Sequence, residues 1–249
     1  MSWKTGKENL NTKDMDLAMH YLPEAKTQEQ TFYLEEIEEP VTLGLVRGDR
    51  PIPDVVLFTP ELVGKLVEQG VKVYVQRDYA AHTRFSNMDY ADAGAEIIDD
   101  FFLLAEVSKV LVKFSPFTEQ ELELLRDGQI VISRVIFNEL TQRYIQLLQQ
   151  KKLYAIAINL IVGRDNWSEL DNILMSSADA DIMNKRLGMF ILPLVEAVLY
   201  SKNFRVLVQT NPALLQSIFC YKGILCNRVI AEQLDMMWKD ILSLCFDLN

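Results

Sequence analysis

Through the middle of the chain, short runs of β-branched and aliphatic residues alternate with segments of helical periodicity. Six of these runs predict strands, at residues 41–46, 71–76, 95–98, 107–113, 129–135 and 153–159. The helical segments carry start and stop signals. Thr59 and Pro60 open one that ends at Gly70, and Thr118 with Glu121 forms a capping-box pattern at the start of another. Apolar strands that alternate with helices predict an α/β fold, a parallel sheet flanked by helices in three Rossmann-like or flavodoxin-like layers.

Beyond residue 159 the pattern is helical to the end of the chain. It predicts helices at 171–176, 180–200, 204–209 and 212–219, and two more within 227–248. The stretch from Leu187 to Tyr200 has apolar residues around most of its circumference, which predicts burial on several sides. We therefore predict an N-terminal extension at residues 1–36 and a single α/β domain at 37–249. That domain comprises a sheet part at 37–161 and a helical return at 180–249.

The charge balance narrows the range of partners. The 249 residues carry a formal net charge of -10, which disfavours nucleic acid and anionic membranes as partners. The N-terminus lacks the apolar segment of a signal peptide, and the apolar stretch at 187–200 is too short to cross a bilayer. The three cysteines lack CxxC spacing, so we expect buried reduced thiols and no metal site. These features predict a cytoplasmic protein.

Few motifs in the sequence indicate a catalytic or cofactor-binding site by themselves. Neither of the glycine-rich phosphate-binding patterns, GxGxxG and GxxxxGK(S/T), occurs in the sequence, so no cofactor is predicted. His82, in a loop beside Arg84, could bind an anion or act as a base, although a lone loop histidine more often does neither. No pairing of a nucleophile with a base is evident, and no catalytic residue is predicted.

Several motifs resemble those of one protein family. They are VTLGLV at 41–46, VVLFTPELV at 55–63, VKVYV at 71–75, FSNMDYADAGAEII at 85–98, VLVKFSP at 110–116 and LLRDGQI at 124–130. Together they resemble the N-terminal, substrate-binding domain of the alanine dehydrogenase and pyridine nucleotide transhydrogenase family. Three later motifs resemble the family's C-terminal segment, namely ILPLVEAVL at 191–199, NPALLQS at 211–217 and YKGILCNRVIAE at 221–232.

The resemblance implies that part of the family's architecture is missing. In the family, a complete Rossmann domain lies between these two stretches. Here they are separated only by the segment from Val162 to Phe190, whose two glycines, Gly163 and Gly188, are too far apart for a phosphate loop. The resemblance therefore implies a chain that neither binds NAD nor turns over alanine or pyruvate.

It also implies that the substrate-site positions are degenerate. Val55 stands where the family's NRVALTP motif has the arginine that grips the substrate carboxylate, and Phe114 stands where its KVKEP motif has a lysine. Ile136 stands where the family's YLHLA motif has the catalytic histidine. All three lie near the carboxyl ends of predicted strands, which is where such sheets bind ligands.

Three cations offer a replacement for the lost polar groups. Lys113 lies one residue before Phe114, and a one-residue step along a strand points a side chain to the opposite face. Arg134 lies two residues before Ile136, on the same strand face. Together with Arg47, these residues would rebuild an anion pocket. The alternative is that each is a surface charge whose stem packs on the sheet edge.

Three functions follow as hypotheses. The first is a catalytically inactive alanine dehydrogenase-like protein that acts by protein interaction or regulation, as a homodimer or bound to a related full-length dehydrogenase. The second is a small-ligand domain that binds a carboxylate or an amino acid. The third is a related oxidoreductase whose NAD is supplied by a partner. Residues 236–246 could cover the apolar helix from within the chain, so self-association is one of two ways to bury it.

Overall fold

The computed structural model describes residues 41–49, 52–161, 168–176 and 178–246, all within one unit, Pro40–Asn249. Their strands form one sheet in the order β3-β2-β1-β4-β5-β6-β7-β8. The strands are β1 Thr42–Val46, β2 Lys72–Gln76, β3 Glu96–Ile98, β4 Val110–Lys113, β5 Ile130–Ser133, β6 Tyr154–Ala157, β7 Ile218–Tyr221 and β8 Ile224–Leu225. The predicted N-terminal extension, residues 1–36, lies outside the described residues.

The first six strands pair in parallel, which confirms the predicted parallel sheet. Their order, β3-β2-β1-β4-β5-β6, is that of a doubly wound sheet, in which the chain reverses its direction of travel between β1 and β4. At that point the loops after β1 and β4 diverge to opposite faces of the sheet. The carboxyl ends of these two strands therefore flank the natural crevice of the fold.

Helices cover both faces of the sheet. They are α1 Pro60–Glu68, α2 Asn87–Asp92, α3 Phe101–Val107, α4 Glu119–Leu124, α5 Gln142–Gln150, α6 Glu169–Met175, α7 Ala180–Leu199, α8 Phe204–Thr210, α9 Pro212–Ser217, α10 Arg228–Leu234 and α11 Ile241–Cys245. The predicted caps are present. Thr59 Oγ1 accepts a hydrogen bond from the backbone N–H of Leu62, and Thr118 and Glu121 form a capping box at α4.

Strand side chains alternate between two apolar layers, one on each face. Leu43 and Leu45 of β1 belong to the layer that contains α1 and α7, which we call the first face. Val46 of β1 and Leu111 of β4 belong to the layer that contains α4 and α5, which we call the second face. Because both faces are buried, the strands are apolar almost throughout, which explains why their runs stood out in the sequence.

Gly44 of β1 lies where a side chain would point into the second face. A Cβ at this position would lie 2.7 Å from Cδ2 of Leu111 and would also collide with the Ser108 hydroxyl. The close approach of the loop before β4 to β1 therefore depends on a glycine here.

Two predicted elements are corrected by the structure. Residues 101–107 form helix α3, capped by the Asp100 side chain, so the strand predicted at 107–113 begins only at Val110. The chain beyond residue 159 is not helical throughout. The helix predicted at 212–219 ends at Ser217, and β7 and β8 follow as a hairpin that extends the sheet antiparallel to β6. Its turn residues, Lys222 and Gly223, both have positive φ, as a two-residue hairpin turn requires.

Helix α7 is fully buried along one side. Leu187, Ile191 and Val195 lie in the first-face core, whereas Ile182 and Met189 are exposed on the opposite side. The predicted burial on several sides of 187–200 is confirmed in part, because Phe190 and Leu192 also pack, partly buried, against this core, whereas Met189 is exposed. The C-terminal helix α11 packs against α8, and the Arg205 guanidinium of α8 donates a 2.7 Å hydrogen bond from Nε to the Cys245 carbonyl oxygen.

Candidate functional site

The crevice between the carboxyl ends of β1 and β4 is nearly filled by apolar side chains. We call it the switch-point crevice. Its lining consists of Val46, Gly48, Val55, Val56, Leu57, Tyr79, His82 and Phe114. The space between them measures about 10 Å³, which is at the lower limit for a single water molecule. Val55 and Phe114, two of the three positions singled out in the sequence, thus come together and close this crevice.

Polar groups in the switch-point crevice already have partners. The His82 imidazole donates a hydrogen bond from Nε2 to the carbonyl oxygen of Val55 at 2.7 Å. The Tyr79 hydroxyl accepts a hydrogen bond from the backbone N–H of Phe58 at 3.4 Å. Burial raises the pKa of Tyr79 far above its ordinary value, so its phenol stays protonated. The crevice therefore presents no cation that could hold a substrate carboxylate, among the lining residues that the structure describes.

The third position, Ile136, lies elsewhere. It follows β5 on the wall of a cavity of about 280 Å³ between the ends of β4 and β5 and helix α5, which we call the second-face cavity. The wall of this cavity also includes Asp49, Phe117, Glu119, Glu139, Leu140 and Tyr144. Ile136 therefore does not share the crevice that Val55 and Phe114 fill.

Lys113, at the end of β4, lies on the second face with its side chain fully buried. Its ammonium donates hydrogen bonds to Asp49 Oδ2 at 2.6 Å and to Glu121 Oε2 and Oε1 at 2.7 and 2.9 Å. Nζ also stands 5.8 Å from the centre of the Phe117 ring. Two carboxylates thus compensate one buried charge, and this local group carries a net negative charge rather than an unsatisfied cation.

Arg134 lies on the other side of the sheet. Its guanidinium stands 5.4 Å from the ring centre of Phe114, and its Nη2 lies 3.4 Å from Asp171 Oδ1. Arg47 is exposed just after β1, where its backbone N–H donates to Gln76 Oε1 at 2.9 Å. The structure therefore does not bring the three cations together, because Lys113 is held on the opposite face from Arg134 by its own carboxylates.

None of the three cysteines lines the switch-point crevice or the second-face cavity. All three are buried and unpaired, as the sequence predicted, and they are Cys220, Cys226 and Cys245. Burial raises the pKa of the Cys226 thiol to about 12, so at neutral pH it is a protonated core residue. Among the helices that the structure describes, none combines the length and the apolar character that a membrane crossing needs.

Sequence reasoning missed the polar residues of the second face. Asp49 follows β1 in a loop, and Glu121 had been assigned only as the second half of a capping box, where it accepts from the Thr118 backbone N–H at 2.7 Å. Tyr144 lies on the buried side of α5 and gave no signal beyond its apolar periodicity. Asp49 and Lys113 are 64 positions apart in the chain, so only the fold places them side by side.

Comparisons of the sequence with a family model and with known proteins both point to alanine dehydrogenases. The family model described as "Alanine dehydrogenase/PNT, N-terminal domain" matches residues 54–179. An alanine dehydrogenase of Staphylococcus haemolyticus is 31% identical over 107 residues, which cover 43% of this chain and 26% of the relative. The chain thus spans about a quarter of the length of that relative.

Solved structures with a similar fold include an alanine dehydrogenase and a transhydrogenase. An L-alanine dehydrogenase superposes with a TM-score of 0.46 and 19% identity, covering 53% of this chain and 36% of the other. A transhydrogenase from Sinorhizobium meliloti superposes with a TM-score of 0.45 and 22% identity, covering 53% and 39% of the two chains.

Proposed function

The chain belongs to the alanine dehydrogenase/PNT N-terminal domain family, and we propose that it is a catalytically inactive member that acts by binding another protein subunit. The observation that carries the proposal is the filled switch-point crevice. In doubly wound sheets this crevice is where ligands bind. Here the space is about 10 Å³ and the side chains that face it are almost all apolar.

Chemistry at this place would need groups that the crevice lacks. A substrate carboxylate needs a cation or several N–H donors, because an unpaired buried charge is costly. Val55 and Phe114 supply neither, and the Nε2–H of His82 is already bound to the Val55 carbonyl oxygen. We propose that these two residues replace the family's substrate-binding arginine and lysine, so that alanine and pyruvate find no site here.

A direct assay tests the loss of activity. Purified protein should show no oxidation of alanine and no reduction of pyruvate with ammonia above a heat-inactivated blank, and titration with NADH should give no saturable fluorescence change. Saturable NADH binding at micromolar concentration, or turnover that co-purifies with the protein through two chromatographic steps, would overturn the proposal.

The binding surface that we propose lies along helix α7. Ile182 and Met189 are seven residues apart, on the same side of the helix, and are 52% and 71% exposed. Met189 and Leu192 line an adjacent groove of about 560 Å³, which we call the α7 groove. Exposed apolar side chains beside a groove are typical of surfaces that bind a partner.

We propose a second copy of this chain as the occupant. The α7 groove carries both charge signs, with Lys65 and Lys185 beside Glu61 and Asp181. Lys65 pairs with Glu61 at 2.7 Å and Arg84 with Asp181 at 2.8 Å within the chain. In a two-fold pairing of identical surfaces, Lys185 of one copy can additionally face these carboxylates of the other, so a surface of mixed sign suits self-association. A related full-length dehydrogenase is the alternative partner.

Light scattering on two matched variants tests this surface. The unmodified protein should have the mass of a dimer, and Met189→Asp should shift it to a monomer because a carboxylate would be buried in the interface. Met237→Asp is the control, since Met237 is 91% exposed between α10 and α11, and it should leave the dimer intact. A monomeric unmodified protein at high micromolar concentration would contradict the homodimer, and co-purification with a full-length dehydrogenase would favour the alternative.

A further inference from the structure

The outward side of helix α7 carries opposite charges on either side of an apolar centre. The helix runs from Ala180 to Leu199, and its buried side packs on the first-face core. On the other side, Lys185, Met189 and Glu196 follow one another at intervals of four and seven residues, so they lie in one row along the helix. Met189 is 71% exposed, and Leu192 beside it lines the α7 groove. Along the helix, this row is therefore a cation, an apolar centre and an anion.

Neither charge of this row is neutralised within its own chain. The Lys185 side chain is exposed and the Glu196 side chain is partly exposed, and neither forms an ion pair among the residues that the structure describes. Lys185 is near enough to attract Glu61, but that carboxylate already pairs with the Lys65 ammonium at 2.7 Å. Both charges can therefore be matched by a partner.

A second copy presents the matching row when the two α7 helices run antiparallel. A two-fold axis perpendicular to the helices reverses one row against the other, so every contact occurs twice. When the axis passes midway between Met189 and Leu192, Met189 of each copy lies opposite Leu192 of the other. Lys185 and Glu196 are symmetric about the same midpoint, so Lys185 of each copy lies opposite Glu196 of the other. The two resulting ion pairs are about 16 Å apart along the helix, at 1.5 Å of rise per residue.

Other pairings of the same two helices bring like charges together. Parallel helices in register would place Lys185 beside Lys185 and Glu196 beside Glu196. An antiparallel pairing that instead matches Ile182 with Met189, two exposed apolar residues, has its axis between Lys185 and Arg186. It would set these two cations against the same two cations of the other copy, and like charges across an interface disfavour association.

We propose that two copies of this chain pair through antiparallel α7 helices, with reciprocal Lys185–Glu196 ion pairs on both sides of Met189 and Leu192. This pairing rests on the homodimer proposed above and names the contacts that fix its register. The apolar centre supplies the burial, as the core of an interface does. The ion pairs at its two ends select this register, because every competing one puts a charge beside its like.

Light scattering on charge-reversal variants tests the pairing. Lys185→Glu and Glu196→Lys each replace both ion pairs by like-charge contacts, so each should raise the Kd of the dimer at least about tenfold. The double variant Lys185→Glu/Glu196→Lys exchanges the charges and should dimerise as the unmodified protein does. An equimolar mixture of the two single variants should also dimerise, at a concentration where each alone is a monomer, because every glutamate then faces a lysine.

Lys239→Glu is the matched control. It makes the same charge reversal at an exposed position between α10 and α11, and it should leave the mass of the dimer unchanged. The melting temperature of each variant shows whether it is folded at the temperature of the measurement.

The possible failures of this pairing and of the homodimer differ. Unweakened dimers in both single variants, or no association when the two are mixed, would overturn the pairing. If Met189→Asp still gives a monomer in that case, the homodimer stands and only its register is wrong. An unmodified protein that is monomeric at high micromolar concentration would contradict the homodimer and this pairing with it.

Discussion

The His82 imidazole donates a 2.7 Å hydrogen bond from Nε2 to the carbonyl oxygen of Val55, and the Asp54 backbone N–H donates one of 3.0 Å back to the carbonyl oxygen of His82. These two bonds tie the loop after β2 to the segment that fills the switch-point crevice. The histidine that the sequence offered as a possible base is therefore used to hold Val55 against Phe114.

We expect His82→Ala to loosen this segment. Loss of the side-chain hydrogen bond should lower the free energy of unfolding by about 1 kcal/mol, the typical contribution of one such bond. Urea unfolding followed by circular dichroism measures the change. His82→Gln, whose amide can also donate to the Val55 carbonyl oxygen, should recover part of it. An unchanged unfolding midpoint in His82→Ala would show that the bond does not hold the segment.

Lys113→Met should be among the most damaging single changes in the second face. It leaves the carboxylates of Asp49 and Glu121 without their shared ammonium, and breaking a buried ion pair costs about 3–5 kcal/mol. Because the Asp49 side chain is 54% exposed, solvent screens part of this loss and we expect a value near the lower end. The double variant Lys113→Met/Glu121→Gln should be more stable than Lys113→Met. Equal stability of the two in urea would argue against the buried charge as the cause.

Two glycine substitutions should have opposite signs. Gly44→Ala places a Cβ against Leu111 and Ser108 and should destabilise the sheet by about 1–3 kcal/mol, as overpacking does. Gly64→Ala lies within α1, where the nearest atoms stand at 3.9 Å, and should stabilise by up to about 1 kcal/mol through helix propensity. The melting temperatures of the two variants, compared with that of the unmodified protein, measure both changes. A neutral Gly44→Ala would mean that the loop before β4 moves away without cost.

The protein should lose stability in alkaline solution. Burial raises the pKa of Cys226 from 9.0 to about 12, and burial also raises the pKa of Cys220 and Tyr144. Between about pH 9 and 12 the unfolded chain therefore binds fewer protons than the folded one, and the free energy of unfolding falls as pH rises. Each cysteine contributes up to about 1.4 kcal/mol per pH unit from about pH 9 upward, and Tyr144 adds to this only above about pH 10.

Urea unfolding at pH 7, 8, 9 and 10 measures this dependence. Below pH 8 these groups should hardly change the free energy of unfolding. Above pH 9 they should lower it as the pH rises. In Cys226→Ala the slope should be smaller by the contribution of one proton. A slope above pH 9 that is the same in both proteins would show that Cys226 ionises as readily in the folded state as in the unfolded one.

Much of the fold was predictable because its strands are buried on both faces. β1, β2 and β5 coincide with clear apolar runs, and the box formed by Thr118 and Glu121 identified the start of α4. Helix α3 was missed because its residues, FFLLAEV, are apolar almost throughout, and its only start signal is Asp100. Hairpin β7–β8 was missed because its short strands directly follow a helix.

The candidate sites were predictable to different degrees. The resemblance placed Val55 and Phe114 at the ends of two strands, and the fold makes those strands neighbours. The sequence could not predict the partners of Lys113, because Asp49 comes to it from the loop after β1 and Glu121 from the first turn of α4. Tyr144 could be assigned to a buried helix side, but only the fold shows that its hydroxyl is buried without a hydrogen-bond partner among the described residues.

The lengths of the two outer strands bear on how this protein can assemble. The described sheet ends at β3, which has three residues, and at β8, which has two. Edge strands this short offer few free backbone N–H and C=O groups, and short edges are a known defence against edge-to-edge aggregation. Growth of the sheet from one molecule into the next is therefore disfavoured at both edges of the described sheet, which leaves the helical faces as the favoured surfaces for association within the part of the chain that the structure describes.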